Sequence, residues 1–416
     1  MKKVPHGGGD GQPPSPAQLA IRKALKRVEE GLGEHFPEAL DPLKAALAVA
    51  AVGCLSDNAQ PTTLILIARP GAGKSMALNF MMPDGDDDWL NDYVYRSDKL
   101  TAASFVSHRA DLPKETLSEE VDLLPRIKGK TLLSKELAPF FRGKREELMH
   151  TFAILTAVLD GTGFVSDSGA HGRRGYIGPI NFQWLGATPP LSSEALEVMA
   201  QLGPRLLFYD ADRKRKNAEE LVEYAKHADI QDRLRACWRA VHDFLCVLYS
   251  ACPPGSVASG SIAVSELHLK RLAFWADVLT RLRALPGQPA EHPERALGML
   301  ENIARGSAIA HGQATVNDYD LAQVGHIALS SGVAGRGRVF RALLANGGTA
   351  TTAEIEKLAS MSAPTALRYM EELAAVGLAH FTEGKGNAPA TVALVEAFAE
   401  LCSAPLLKAK WGEGEG

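Results

Sequence analysis

A glycine-rich segment in the first fifth of the chain constrains the fold more than any other feature. Residues 68–75 read ARPGAGKS, after an apolar run over 63–67 and before a helix-like segment over 76–81. A buried strand, a tight turn and a helix start in this order form a cradle whose backbone N–H groups surround phosphate groups. The lysine contacts the terminal phosphates and the serine hydroxyl binds Mg²⁺. The sequence therefore predicts a nucleoside triphosphate site formed by Pro70, Gly71, Ala72, Gly73, Lys74 and Ser75.

Composition indicates a globular chain of more than one domain. The 416 residues are 46% hydrophobic and carry a net charge of −4, so any DNA contact depends on local basic patches rather than on the overall field. The five cysteines show neither a C-x-x-C pair nor a zinc spacing, which is typical of buried thiols in a reducing compartment. The longest apolar run, 45–55, is too short to span a membrane. We expect a cytoplasmic protein without membrane contact.

Strand-like and helix-like patterns alternate through the first half of the chain. Five strand-like segments lie between helical stretches or turns, at 63–67, 92–96, 131–136, 182–187 and 205–209. This alternation predicts an α/β domain with a parallel sheet and crossover helices, whose ligands bind beyond the carboxyl ends of the strands. Before the first strand, helical periodicity over 17–55 is interrupted at 31–33 and near Pro42. Between 100 and 108 the pattern predicts a further helix.

Four polar residues outside the phosphate loop are candidates for catalysis of hydrolysis. Glu136 follows a buried strand and would polarise the attacking water, or it would cap the following helix. Thr188 ends the next strand and would orient that water, or it would close a turn before two prolines. Arg205 begins an apolar strand, where a charge needs a partner: a neighbouring subunit's phosphate or a local carboxylate. Arg295 opens a helix, which hints at a bound anion or leaves the side chain in solvent.

Basic residues form two clusters in the middle of the chain. Residues 161–180 have the pattern of a β-hairpin with turn formers at its centre, and Arg173 and Arg174 lie near the tip. Their guanidinium groups suit contacts to the phosphate backbone of DNA, although an ordinary solvated turn fits equally well. The run over 213–216 is interpreted as the solvated face of a linker.

The C-terminal part has the order of a winged helix-turn-helix domain. Helical segments at 338–345, 353–360 and 364–376 are followed by two short strands joined by a glycine-containing wing. Four residues would face a DNA groove or its backbone: Ser362, Thr365, Arg368 and Tyr369. Since winged helices also dock proteins, a protein-docking module is the alternative. The resulting division of the chain is a disordered tail over 1–16, an α/β core over 17–215, a helical region over 216–331, a winged helix over 332–400 and a tail over 401–416.

The order of these segments resembles the AAA+ ATPases, and within them the branch with a β-hairpin before the fourth strand, to which minichromosome-maintenance (MCM) helicases belong. The matching parts are the phosphate loop 68–75, Glu136, the hairpin 164–180, Thr188, the arginine-finger strand 202–208, the sensor-two helix from Pro293 with Arg295, the turn 316–320 and the winged helix. Ala68, Lys135 and Thr188 depart from the residues usual in that family. The resemblance implies ATP and Mg²⁺ as ligands, a helical lid over the sheet, and a hexameric ring in which Arg205 completes the neighbouring subunit's site.

Three functions follow from this resemblance. The first is a DNA-dependent ATPase, an MCM-like helicase or translocase whose Arg173 and Arg174 hairpins line the ring channel. The second is an ATP-controlled DNA-binding switch without unwinding activity, which Lys135 favours because it stands where an acidic residue is usual. The third is a defence or signalling ATPase whose winged helix docks a protein.

Overall fold

A five-stranded parallel sheet forms the centre of the computed structural model, which describes residues 13–58, 60–107, 121–169, 172–202, 205–213, 215–225, 229–385 and 388–407. Its strands are β1 (Thr62–Ile67), β2 (Val94–Arg96), β3 (Thr131–Ser134), β6 (Gln183–Thr188) and β7 (Phe208–Asp210). They lie in the order β2-β3-β6-β1-β7, and every neighbouring pair is parallel. The predicted α/β fold with a parallel sheet is therefore confirmed.

Helices cover both faces of this sheet. They are α1 (Pro16–His35), α2 (Pro37–Val52), α3 (Lys74–Asn79), α4 (Leu123–Ile127), α5 (Arg145–Val158) and α6 (Ser193–Leu202) in the first half of the chain. Alternate residues of β1 point into two separate cores: Leu64 and Leu66 into one with α2, and Ile65 into another with α5 and α6. Because both faces are buried, the strands read as continuous apolar runs in the sequence.

The N-terminal helices differ from their predicted boundaries. Ser15 caps α1 with a capping box, and the helix runs through Gly31 and Gly33 to His35. The break lies instead at Phe36, because a residue before proline is disfavoured in the helical region. Of the tail predicted over 1–16, residues 1–12 lie outside the described residues, and α1 already begins at Pro16. The helix predicted over 100–108 is also wrong, since only a short 3₁₀ turn forms, at Ala102–Ser104.

The predicted hairpin is confirmed as two antiparallel strands, β4 (Gly163–Ser168) and β5 (Gly172–Ile177), which form a sheet of their own. The middle of the predicted hairpin tip, residues 170 and 171, lies outside the described residues. Five helices follow β7: α7 (Ala218–Ala225), α8 (Ile230–Ala251), α9 (Glu266–Arg283), α10 (Glu294–Ala310) and α11 (Asp318–Ser330). Among the described helices, none combines the length and apolarity that crossing a bilayer requires.

The last part of the chain forms a smaller unit of three helices and a three-stranded antiparallel sheet. Its helices are α12 (Ala334–Ala345), α13 (Thr352–Ala359) and α14 (Ala363–Ala375), and its strands are β8 (Thr349–Thr351), β9 (Ala379–Thr382) and β10 (Thr391–Leu394). A 3₁₀ helix over Glu396–Ser403 occupies the start of the segment predicted as a tail over 401–416. Residues 408–416 lie outside the described part of the chain.

Candidate nucleotide site

The phosphate loop leaves the carboxyl end of β1 and enters α3 directly. Gly71 and Gly73 have φ angles of 81° and 88°, a conformation that side chains strongly disfavour and glycine adopts at little cost. These two glycines turn the chain sharply, so that Lys74 becomes the first residue of a short helix of six residues. The geometry explains why glycine stands at both positions.

Lys74 and Thr188 lie against the end of the sheet. The Lys74 side chain is mostly buried, and Ser75 beside it is half-buried. Thr188, the last residue of β6, is the register partner of Ile67, and its carbonyl oxygen accepts a hydrogen bond from the Ala68 N–H at 3.3 Å. The sheet thus brings the predicted Thr188 next to the first residue of the loop.

The end of β3 carries Lys135 and Glu136. The Glu136 carboxylate is exposed, and its Oε1 accepts the Ala138 N–H at 2.9 Å, the capping role that was the alternative to catalysis. Lys135 Nζ lies 3.4 Å from Asp98 Oδ1. Asp98 also accepts from Arg96 Nε at 2.9 Å, and this hydrogen bond, with the charge of Lys135, lowers the pKa of Asp98 below its usual value. The carboxylate that pairs with Lys135 is therefore that of Asp98, not that of the adjacent Glu136.

Sequence reasoning missed Asp98 because it lies 37 positions before Lys135. A signal for it exists nonetheless: it follows the carboxyl end of β2, and β2 pairs with β3. Residues after the ends of neighbouring parallel strands meet at one edge of the sheet.

A cavity of about 450 Å³ borders the outer side of the phosphate loop, a volume typical of sites for small molecules. Its wall combines the loop residues 69–72 with residues that follow β7: Asp212, Arg213, Arg215, Lys216 and Leu221. Of the run 213–216, interpreted as the solvated face of a linker, Arg215 is exposed, whereas Arg213 and Lys216 are half-buried and lie near Glu38. Because the carboxyl ends of β1 and β7 are neighbours in the sheet, this basic segment lies beside the loop.

Contacts between the loop and that segment are specific. Arg69 Nε donates to Asp212 Oδ2 at 2.8 Å, and Arg213 Nη2 lies 3.4 Å from the Gly71 carbonyl oxygen. Arg213 also forms an ion pair with Glu38 at the start of α2. The cavity is thus lined by several cations, of which Arg69, Arg213 and Lys216 lie beside carboxylates.

The residues at the loop fit a magnesium nucleotide. Mg²⁺ is usually held by one or two protein oxygens, phosphate oxygens and water, and the Ser75 hydroxyl is the protein oxygen available in the loop itself. Within the described residues, no group of three or more His, Cys, Asp and Glu side chains has an arrangement that would bind a metal ion alone.

Comparison with known proteins adds no family to this picture. A scan against models of protein families finds no match, and neither does a search of curated proteins.

Arg205 lies at the opposite edge of the sheet from the loop. Its carbonyl oxygen accepts from Thr63 Oγ1, near the start of β1. Its guanidinium, mostly buried, donates to Asp160 Oδ1 from Nε at 2.9 Å and from Nη2 at 2.6 Å. Arg205 therefore forms a salt bridge with a local carboxylate, which is the alternative to a role as an arginine finger. Arg295 is exposed in the first turn of α10, as its solvent-pointing alternative implies.

Arg174, predicted to contact DNA, is buried in the body of the protein. Its Nη2 lies 2.8 Å from Oδ2 of Asp122, which is fully buried, and the Tyr176 hydroxyl donates to the same oxygen at 2.9 Å. The expected DNA contact of Arg174 is therefore corrected to a structural one that attaches the hairpin. Arg173 is exposed, and its register partner on β4 is Asp167.

The four residues predicted to face DNA in the C-terminal unit have mixed environments. Ser362 and Thr365 share a hydrogen bond of 2.9 Å between their hydroxyls. Arg368 is exposed, with its guanidinium 4.5 Å from the centre of the Tyr369 ring. The Tyr369 ring packs so closely on Gly335 that a Cβ there would lie 2.0 Å from it. Tyr369 is thus a packing residue, while Ser362 and Arg368 remain accessible.

Proposed function

We propose that this protein binds ATP with Mg²⁺ at the phosphate loop and uses it as a switch. The observation that carries the proposal is the loop itself: two glycines in the left-handed region between a buried parallel strand and Lys74, beside a cavity with a cationic wall. Backbone N–H groups in such a loop suit phosphate oxygens, and cations add to this attraction.

In this proposal each residue of the loop has a defined task. The N–H groups of residues 71–75 would surround the β-phosphate, Lys74 would pair with the terminal phosphates, and the Ser75 hydroxyl would hold Mg²⁺. Bound Mg²⁺ would neutralise phosphate charge. Thr188, beside the loop, would orient a water molecule, and Glu136 would polarise it.

The contacts at the end of β3 favour a switch over a motor. Lys135 stands at the end of β3 with Asp98 as its partner, and Glu136 hydrogen-bonds to its own following backbone. With Oε1 engaged by the Ala138 N–H, only part of the carboxylate's acceptor capacity would be free to orient water. We infer that nucleotide binding is stronger than the capacity to hydrolyse the nucleotide.

An MCM-like AAA+ ring motor is the second candidate. It is favoured by the position of Arg205 at the edge of the sheet opposite the loop, where an arginine finger would have to serve another subunit's nucleotide. The ion pair with Asp160 would have to open first.

For either function, we propose that the C-terminal unit is a winged helix, because its three helices and small sheet follow the order of that fold. We also propose that the protein works in the cytoplasm.

A binding titration tests the proposal. With a fluorescent ATP analogue and Mg²⁺, the native chain is expected to bind, and Lys74→Ala is expected to bind about 10- to 100-fold more weakly, the loss of one or two charge-assisted hydrogen bonds. Lys44→Ala is the matched control, because the Lys44 side chain is similarly buried but pairs with Glu29. Absence of binding, or equal affinity of native and Lys74→Ala chains, would overturn the proposal.

A further inference from the structure

The turn after β7, residues 210–213, holds the phosphate loop from outside, and we name it the bracket. Asp212 receives two hydrogen bonds from Arg69: one from Nε to Oδ2 at 2.8 Å, and one from the backbone N–H to Oδ1 at 3.4 Å. Arg213 reaches the Gly71 carbonyl oxygen. The Asp212 N–H in turn donates to Asp210 Oδ1 at 3.0 Å. The contacts of Arg69 and Gly71 fix the bracket relative to the loop, and the Asp212–Asp210 hydrogen bond stabilises the bracket itself.

The bracket is held from behind by two residues of later helices. His326 on α11 shares a hydrogen bond of 2.9 Å with the Asp210 carbonyl oxygen through Nε2, and Arg341 Nη2 on α12 lies 2.9 Å from His326 Nδ1. Because a guanidinium only donates, Nδ1 is the acceptor, and Nε2 therefore carries the hydrogen that the carbonyl accepts. The imidazole is thus a neutral bridge between α12 and the bracket.

Arg341 is suited to couple the position of α12 to His326. It is almost completely buried, burial lowers its pKa to about 10, and it is still charged at neutral pH. A buried charge needs its hydrogen-bond partners, so Arg341 cannot leave His326 without cost. Its Nη1 also donates to the Leu407 carbonyl oxygen at 2.8 Å, which ties the end of the described chain to the same point.

We propose that His326 and Arg341 are positioning residues of the nucleotide site, which set the affinity of the phosphate loop through the bracket. This inference rests on the proposed function and adds a dependence on the C-terminal unit, because α12 belongs to that unit. Coupling between two sites is reciprocal. Nucleotide at the loop therefore stabilises the docked position of α12 as much as docked α12 stabilises bound nucleotide.

Nucleotide affinity of matched variants tests this inference. Arg341→Met is expected to weaken binding of the fluorescent ATP analogue about 5- to 50-fold, within the usual range of coupling between sites. Arg341→Lys, which can still donate to His326, is expected to recover part of the loss. Arg336→Met is the control, because Arg336 is equally buried on α12 but contacts Glu372 and the carbonyl oxygens of Leu282 and Ala284. Equal weakening by both methionine variants would mean a general loss of structure and would overturn the inference.

A double-mutant cycle tests whether Arg341 affects the phosphate loop through the bracket. If Arg341 acts through the bracket, Asp212→Asn and Arg341→Met combined weaken binding little more than the larger single change. Simple multiplication of the two effects would overturn the bracket as the path. Asp229→Asn, which removes another arginine-paired aspartate on the surface, is the control.

Hydrogen exchange gives a readout without nucleotide. Arg341→Met is expected to speed amide exchange at residues 69–73 in the nucleotide-free protein, whereas Arg336→Met leaves it unchanged. Unchanged exchange in both variants would overturn the role of Arg341. If the native chain binds no nucleotide, the proposed function fails, and the affinity part of this inference fails with it. If the native chain binds nucleotide and only Lys74→Ala loses binding, the proposed function stands and the positioning role of Arg341 is rejected.

Discussion

Glu136 illustrates how one residue can fit two roles. Its carboxylate caps the turn that starts at Ala138, and it also follows the strand next to β6, where a catalytic carboxylate would act on bound nucleotide. Both roles use the same oxygens but only the catalytic role requires the negative charge. A neutral side chain of equal shape therefore separates the roles.

Glu136→Gln is expected to keep the stability of the protein and to lower ATP turnover about 100-fold or more, because an amide oxygen accepts the cap hydrogen bond but does not take up a proton. Phosphate release under saturating ATP measures turnover, and urea unfolding measures stability. Unchanged turnover would assign Glu136 to the cap alone. Glu147→Gln is a matched control, since Glu147 also caps a helix, at the Lys144 N–H.

The sequence indicates that a charged residue in an apolar segment needs a partner, but it does not indicate which residue the partner is. Arg205 pairs with Asp160, 45 positions away, and Arg174 pairs with Asp122, 52 positions away. Nothing local in the sequence indicates either carboxylate, since the topology of the chain brings them together. The phosphate loop, by contrast, was readable because its geometry depends on eight consecutive residues.

At the scale of elements, patterns that are continuous in the chain predicted structure best. The parallel strands were identified because both their faces are buried, so each is a run of apolar residues. The segment near residue 105 failed because Phe105 and Val106 are buried by tertiary contacts rather than along one helical face. A Thr101–Ser104 hydrogen-bond pair closes a short 3₁₀ turn there instead.

The β4–β5 hairpin is expected to depend on Arg174 and not on Arg173. Arg174→Ala leaves the buried Asp122 carboxylate without its charge partner, which should lower the free energy of unfolding by about 3 to 5 kcal/mol. Arg173→Ala changes an exposed residue and should alter it by less than about 0.5 kcal/mol. Urea unfolding of the two variants makes the comparison. Similar stability of both would contradict the structural role of the Arg174–Asp122 pair.

At the scale of the whole molecule, charge distribution bears on the partner. Among the exposed described residues of 334–407, three are Lys or Arg and six are Glu. The basic members are Lys357, Arg368 and Lys385; the acidic ones are Glu354, Glu356, Glu371, Glu383, Glu396 and Glu400. Affinity for DNA comes largely from neutralised phosphates. This excess of acidic groups favours a protein partner for the C-terminal unit.

We therefore expect the full chain to bind labelled duplex or single-stranded DNA more weakly than about 10⁻⁴ M at physiological salt, the weak end of non-specific binding. Fluorescence anisotropy at low and physiological salt, with and without ATP and Mg²⁺, measures this. Tight binding that falls steeply with salt and is weakened by Arg368→Ala would contradict the expectation and support the winged helix as a DNA reader. Lys270→Ala, which removes a cation paired with Glu400, is the control.

The arrangement of later helices around the sheet was beyond prediction from sequence. The predicted helical region over 216–331 contains α10 and α11, but its pattern does not indicate that His326 of α11 reaches the end of β7. Each helix has an apolar stripe that fits many neighbours, and only the complete packing selects one. The lining of the cavity beside the loop depends on the same packing.

Asp122 joins two parts of the chain that are far apart in the sequence. The buried Asp122 that holds Arg174 also accepts the Ser107 N–H, at 2.7 Å. Ser107 and Asp122 are thus fastened to each other, independently of the sequence between them. Loop-closure entropy grows slowly with chain length, so doubling the number of residues between two joined positions costs only about 0.6 kcal/mol. A reporter or an affinity tag inserted between Ser107 and Asp122 is therefore expected to cost little stability as long as both residues are kept.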